Sequence, residues 1–139
     1  TVPAMIAAGG GRILDISSGA AVKDSARASG YYVSKTALMR LGGCLAEAGR
    51  ERGIAVLELA PGGVRTDMTA AMAMHAGRTE WTDVALSVEI AAAFADGFLD
   101  GLSGCQVRAG SDDLADLVKL SKRGAGPEER RLRRTEFSG

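Results

Sequence analysis

The chain of 139 residues predicts an α/β fold, a doubly wound parallel sheet of about three strands with flanking helices. Three observations carry that expectation. Apolar runs of strand length occur at residues 13–16 and 54–60 and an alternating apolar and polar run at 105–109, segments of helical period lie between them, and glycine, proline or serine closes each run. Strands alternating with helices favour right-handed β-α-β units, whose crossover helices cover both faces of a parallel sheet.

Each element has its own reason. Residues 2–8 are short and apolar and are closed by Gly9, Gly10 and Gly11, which reads as the last turns of a helix and its stop. Ile13 to Ile16 read as a buried strand ended by the turn residues Ser17, Ser18 and Gly19. A polar loop follows over 23–30. From 31 to 52, Val33, Ala37, Leu38, Leu41, Leu45 and Ala48 recur at helical spacing, with Gly53 at the stop, so a helix of roughly six turns is expected. Gly42, Gly43 and Gly49 inside it each cost about 1 kcal/mol relative to alanine, which predicts another backbone packed close by. Residues 54–60 read as a second buried strand, broken where Pro61 cannot donate to a ladder.

The second half is read the same way. Met68, Met72, Met74 and His75 lie among alanines between 66 and 81; composition favours core filling over a helical flap above a pocket, and His75 reads as a surface histidine. Thr82 and Asp83 offer an N-cap for a helix through about residue 102. Residues 105–109 alternate as a half-buried strand does, and Asp112 and Asp113 open a last helix to about residue 122. One domain over 1–123 is expected, followed by a Gly- and charge-rich loose tail over 124–139.

Seventeen basic and seventeen acidic residues cancel, so no global field attracts nucleic acid, an anionic membrane or a polyanionic substrate. The run Arg130, Arg131, Leu132, Arg133, Arg134 lacks interleaved aromatics and reads as a solvated tail. Cys44 and Cys105 stand far apart and His75 is the single histidine, so reduced thiols, no metal site and a cytoplasmic setting are expected. No apolar run has the length of a membrane span, and the first residues lack the layout of a signal peptide. The class left is a protein acting on small molecules.

Tyr31 and Lys35 stand one helical turn apart, phenol beside ammonium. The spacing alone fits a solvated pair as well as a reaction centre. Open parallel sheets bind ligands beyond the C-terminal ends of their strands, which is where Ser17, Ser18, Pro61 and Gly62 fall.

Taken together, Gly11 to Gly19, the Tyr31-x-x-x-Lys35 spacing and Pro61-Gly62-Gly63-Val64-Arg65-Thr66 resemble the catalytic half of a short-chain dehydrogenase/reductase. Ser18 lies thirteen residues before Tyr31, as that pattern requires. The resemblance covers nearly the whole chain up to the tail. It implies the second half of a Rossmann-like NAD(P)-binding fold, and an oxidoreductase interconverting a carbonyl and an alcohol with NAD or NADP. Tyr31 would be the general acid/base, Lys35 would favour the phenolate and hold the nicotinamide ribose, and Ser18 would hydrogen-bond the substrate oxygen. Pro61, Gly62, Val64 and Thr66 would line the nicotinamide, together with Tyr31 and Lys35. A homo-oligomer through helix 31–52 is also implied.

The sequence departs from the pattern in two respects. Asp15 stands where the family more often has asparagine. No Gly-x-x-x-Gly-x-Gly turn occurs, so the phosphate-binding turn and the residue that separates NAD from NADP are not among these residues. Two expectations therefore stand side by side. The chain is the catalytic portion of such an oxidoreductase, inactive by itself because the cofactor-binding half is absent, or it is a truncated, non-catalytic module that works by association with a partner subunit.

Overall fold

The computed structural model describes residues 1–26 and 28–133. Three strands, β1 (Gly11–Ile16), β2 (Ile54–Ala60) and β3 (Gln106–Arg108), form one parallel sheet in the order β1-β2-β3. Among the described residues five α-helices accompany them: α1 (Val2–Ala7), α2 (Ser29–Gly49), α3 (Asp67–Ala70), α4 (Val84–Ala95) and α5 (Leu114–Arg123). The α/β class and the parallel, three-stranded sheet are as the sequence predicts.

β2 is buried at all seven positions because it is central and covered on both faces. Its odd-numbered residues Ala55, Leu57 and Leu59 enter a core with Ile90 and Phe94 of α4, Leu99, Val107, and Leu117 of α5. Its even-numbered residues Ile54 and Val56 pack on the opposite side with Ala46 and Leu45 of α2, Met5 and Ile6 of α1, and Ile13. The next even position is Glu58, a carboxyl in the middle of a buried strand, and register sets it between Asp15 of β1 and Gln106 of β3.

α2 begins two residues before its expected start, entered from Ala28 at φ 58°, and ends at Gly49 in a short 3-10 turn, Arg50–Arg52. The glycines expected to admit a second backbone admit side chains of the sheet instead. A Cβ on Gly42 would lie 2.8 Å from Glu58 Oε1 and one on Gly49 2.5 Å from Ile54 Cβ, while Gly43 faces open space. The helix expected to run to residue 102 stops at Ala95, where Gly97 at φ 87° turns the chain into a 3-10 turn, Asp100–Leu102. Met68, Met72 and Met74 are exposed rather than filling the core. In this stretch the chain forms only the single-turn α3 and a 3-10 turn, Ala73–His75, neither long enough to bury an apolar face.

The segment after Gly124, expected as a loose tail, makes specific contacts over its described part. Arg130 O accepts from Gln106 N at the outer edge of β3, Arg131 Nη2 donates to Ser103 O, and Arg130 pairs with Asp112. Glu129 meets both Arg123 and the amide of Gly126. Glu129, Arg130 and Arg131 are thus matched by partners in the body of the protein, while Glu128 and Arg133 pair with each other within the segment. Residues 134–139 lie outside the described residues, as does Arg27 of the polar loop. No helix among the described residues is long and apolar enough to cross a membrane.

Candidate active site

The C-terminal end of β1 runs directly into Ser17 and Ser18. Ser18 caps the 3-10 turn Gly19–Val22 just beyond the end of β1, its Oγ accepting from Ala20 N at 3.1 Å. Lys35, one turn into α2, reaches down to β1 and donates from Nζ to Ile16 O at 2.9 Å. The same ammonium stands 5.9 Å from the centre of the Tyr31 ring, and Tyr31 is itself steadied edge-on by Tyr32 at 6.1 Å. Lys35 therefore ties the tyrosine turn of α2 to the backbone two residues before Ser18. The Tyr31 ring is about half exposed (48%), open to a ligand arriving from outside the strand ends.

The loop after β2 has its own internal bracing. Gly62 takes φ 77°, a conformation open to glycine at little cost, and Gly63 O accepts from Thr82 N at 2.8 Å. Thr66 and Thr69 form a reciprocal capping box at the start of α3, and Thr69 Oγ1 also donates to Val64 O at 2.7 Å. The Val64 carbonyl and the Thr66 hydroxyl are thus engaged within the loop. Pro61, Gly62, Val64 and Thr66 follow β2, whose register with β1 puts this loop beside the serine turn. His75, Arg78 and Trp81 gather above it: Arg78 stacks on the Trp81 ring at 5.1 Å, and His75 lies 5.6 Å from the same ring. A cleft of about 400 Å³ between β3, α5 and the segment around Glu129 contains none of the predicted site residues.

Sequence reasoning passed over the polar layer beneath α2. Glu58 is 3% exposed, and its Oε2 finds no hydrogen-bond partner among the described residues. Burial pushes its carboxyl up to about 7, with the Ser17 hydroxyl pulling it back and the nearby Asp15 charge adding to the rise. Burial also raises Asp15, against the pull of Lys35. Both carboxyls converge on Gly42, whose missing side chain leaves the room they occupy. Ser17, read from the sequence as a plain turn residue, is 3% exposed and belongs to this layer, because Gln106 Nε2 donates to its Oγ at 3.1 Å and to Ser18 O at 3.2 Å. The available signal was a single charged residue in the centre of an otherwise apolar strand. Among the described residues no three His, Cys, Asp or Glu converge to hold a metal ion, and both cysteines are free.

Comparison with known proteins places this geometry in context. The family model described as short chain dehydrogenase matches residues 1–76. The chain is 38% identical over 79 residues to the short chain dehydrogenase/reductase astE of Aspergillus oryzae, a match covering 57% of this chain and 30% of that protein. A crystal structure from Beutenbergia cavernae, assigned as an NAD(P)-dependent gluconate 5-dehydrogenase with bound NADP, superposes with a TM-score of 0.69 at 28% identity, over 77% of this chain and 47% of that one. A 7α-hydroxysteroid dehydrogenase complexed with NADH and 7-oxo glycochenodeoxycholic acid gives 0.70 at 24% identity, over 78% and 47%, a likeness of fold. The chain thus spans about a third of the curated relative and just under half of each structure.

Proposed function

The chain belongs to the short-chain dehydrogenase family, and on that premise we propose that it is the catalytic half of an NAD(P)-dependent oxidoreductase interconverting a carbonyl and an alcohol. The observation that carries this reading is Lys35, bonded to Ile16 O and standing beside Tyr31, which links the two segments the reaction needs. A lysine ammonium has three N–H donors, and one is taken by Ile16 O; two remain for the hydroxyls of a nicotinamide ribose. Pro61, Gly62, Val64 and Thr66 would line the nicotinamide side of the same cofactor, NAD or NADP, which supplies or accepts the hydride.

The residues then divide the remaining work. Tyr31 gives a proton to the carbonyl oxygen during reduction, or takes one from the alcohol during oxidation. Ser18 donates its hydroxyl proton to the substrate oxygen in the same step, a proton left free because its Oγ only accepts from Ala20 N. Lys35 holds the ribose and keeps the tyrosine turn in register with β1. Removal of the phenolic hydroxyl tests the assignment directly. In a chain that also carries the phosphate-binding segment, Tyr31→Phe is expected to lower turnover by ~10²–10⁴-fold while calorimetric cofactor affinity stays within a few-fold; near-normal turnover would rule the role out.

A second reading, association with another subunit through α2, is supported by that helix's exposed side chains Val33, Leu41 and Cys44. Such apolar exposure marks contact surfaces when it is contiguous. Light scattering on the purified chain is expected to give a mass that rises with concentration. A constant monomer mass would remove this reading.

A further inference from the structure

The buried layer under α2 lies directly behind the serine turn. Gln106 uses both N–H groups of its side-chain amide toward this turn, one on Ser17 Oγ and one on Ser18 O. A hydroxyl that accepts from Gln106 keeps one proton to donate, and the Glu58 carboxylate is the acceptor that Ser17 meets. Glu58 is thereby coupled through Ser17 and Gln106 to the backbone of Ser18, without touching the site itself.

We propose that Glu58 and Gln106 are positioning residues for Ser18, and that the protonation state of Glu58 sets how the serine turn is held. This rests on the reading of Ser18 as the group that bonds the substrate oxygen. The ionised carboxylate accepts from Ser17, which frees the Ser17 oxygen to accept from Gln106 and draws Ser18 O onto the same amide. The neutral carboxyl carries a proton of its own, competes as a donor, and loosens that arrangement. The groups facing Glu58 are few and identifiable. β1 contributes Asp15 and Ser17, β3 contributes Gln106, and α2 contributes Gly42, with Met39 against Gln106. Lys35 acts on the pair through Asp15, whose carboxyl it favours in the charged form. Burial raises both carboxyls, and Lys35 works against the rise at Asp15 while the Asp15 charge adds to the rise at Glu58.

The test is a proton–nitrogen correlation titration of the whole chain between about pH 5 and about pH 9. The backbone amides of Ser17 and Ser18 and the side-chain amide of Gln106 are expected to move together with one midpoint near 7. Glu58→Gln is expected to remove that shared midpoint. Asp15→Asn, which deletes the like charge, is expected to lower it, and this variant serves if Glu58→Gln does not fold. A merely structural role would leave the three signals without a common midpoint. The proposal is overturned if they do not titrate together, if the step persists in Glu58→Gln, or if Asp15→Asn leaves the midpoint in place. None of these signals depends on turnover, so failure of the Tyr31→Phe experiment and failure of this one are separate results.

Discussion

The two faces of β2 are built from alternate residues of one seven-residue strand, yet they do different work. On one side Ala55, Leu57 and Leu59 meet α4 and α5 in a core whose buried members are all apolar except for the thiol of Cys105, which donates to Glu129 O. On the other, Ile54 and Val56 begin an apolar core that gives way, toward the C-terminal end of the strand, to Glu58, Asp15, Ser17 and Gln106. The change of chemistry falls where the strand approaches the serine turn and Lys35. One face supplies stability that any apolar packing could supply, while the other accepts a desolvated carboxyl next to the candidate site. A buried carboxyl with an unpaired oxygen is costly, so its place beside that site is better explained by what it holds than by what it stabilises.

The sharpest way to break this contrast is to cut into the apolar face. Phe94 is 1% exposed and among the largest fully buried side chains. Phe94→Ala is expected to destabilise by about 3–5 kcal/mol through lost transfer energy and the cavity left behind. Urea unfolding at several pH values is the measurement. The loss should be the same at each pH up to about 8, since the one ionisable side chain among the buried members of that cluster is the Cys105 thiol, which burial pushes above its ordinary 9.0. A pH-dependent loss would mean that the two faces are coupled through the sheet.

How much of this was legible in the sequence follows the same division. The order of strands and helices, the burial of β2 and the place of Ser17, Ser18, Pro61 and Gly62 just after strand ends could all be read, because periodicity and Gly or Pro punctuation report local structure. Boundaries were less legible: residues 96–102 are apolar enough to continue α4, and only the positive φ of Gly97 shows that the helix has ended. The methionines between 66 and 81 misled because composition records hydrophobicity and not which face is covered. The glycines of α2 were read as a sign of close packing, and close packing is there, but its partners are Glu58 and Ile54 side chains that only register brings under the helix. The polar layer was invisible for the same reason. Asp15, Glu58 and Gln106 are separated by more than forty residues at each step, and nothing local in the chain states that they form one row across three strands.

The polar face yields the complementary and smaller effect, one that depends on pH. The Glu58 carboxyl is raised from its ordinary 4.5 to about 7 in the folded chain. Below about 4.5 both folded and unfolded forms carry the proton, so its contribution is fully present. As pH rises from about 4.5 toward about 7, the unfolded chain ionises first and the folded state loses ground. Above about 7 both forms are ionised and the difference levels off, after a total on the order of 3 kcal/mol. Asp15 is shifted in the same direction by burial and steepens the fall. Glu58→Gln removes the titrating group while keeping its shape, so the stability gap between variant and wild type should shift in favour of the variant across that window. Urea midpoints at pH 5 and pH 8 measure it, and a gap unchanged between them would mean that Glu58 is ionised in the folded chain throughout, with Ser17 alone sufficient to hold its charge.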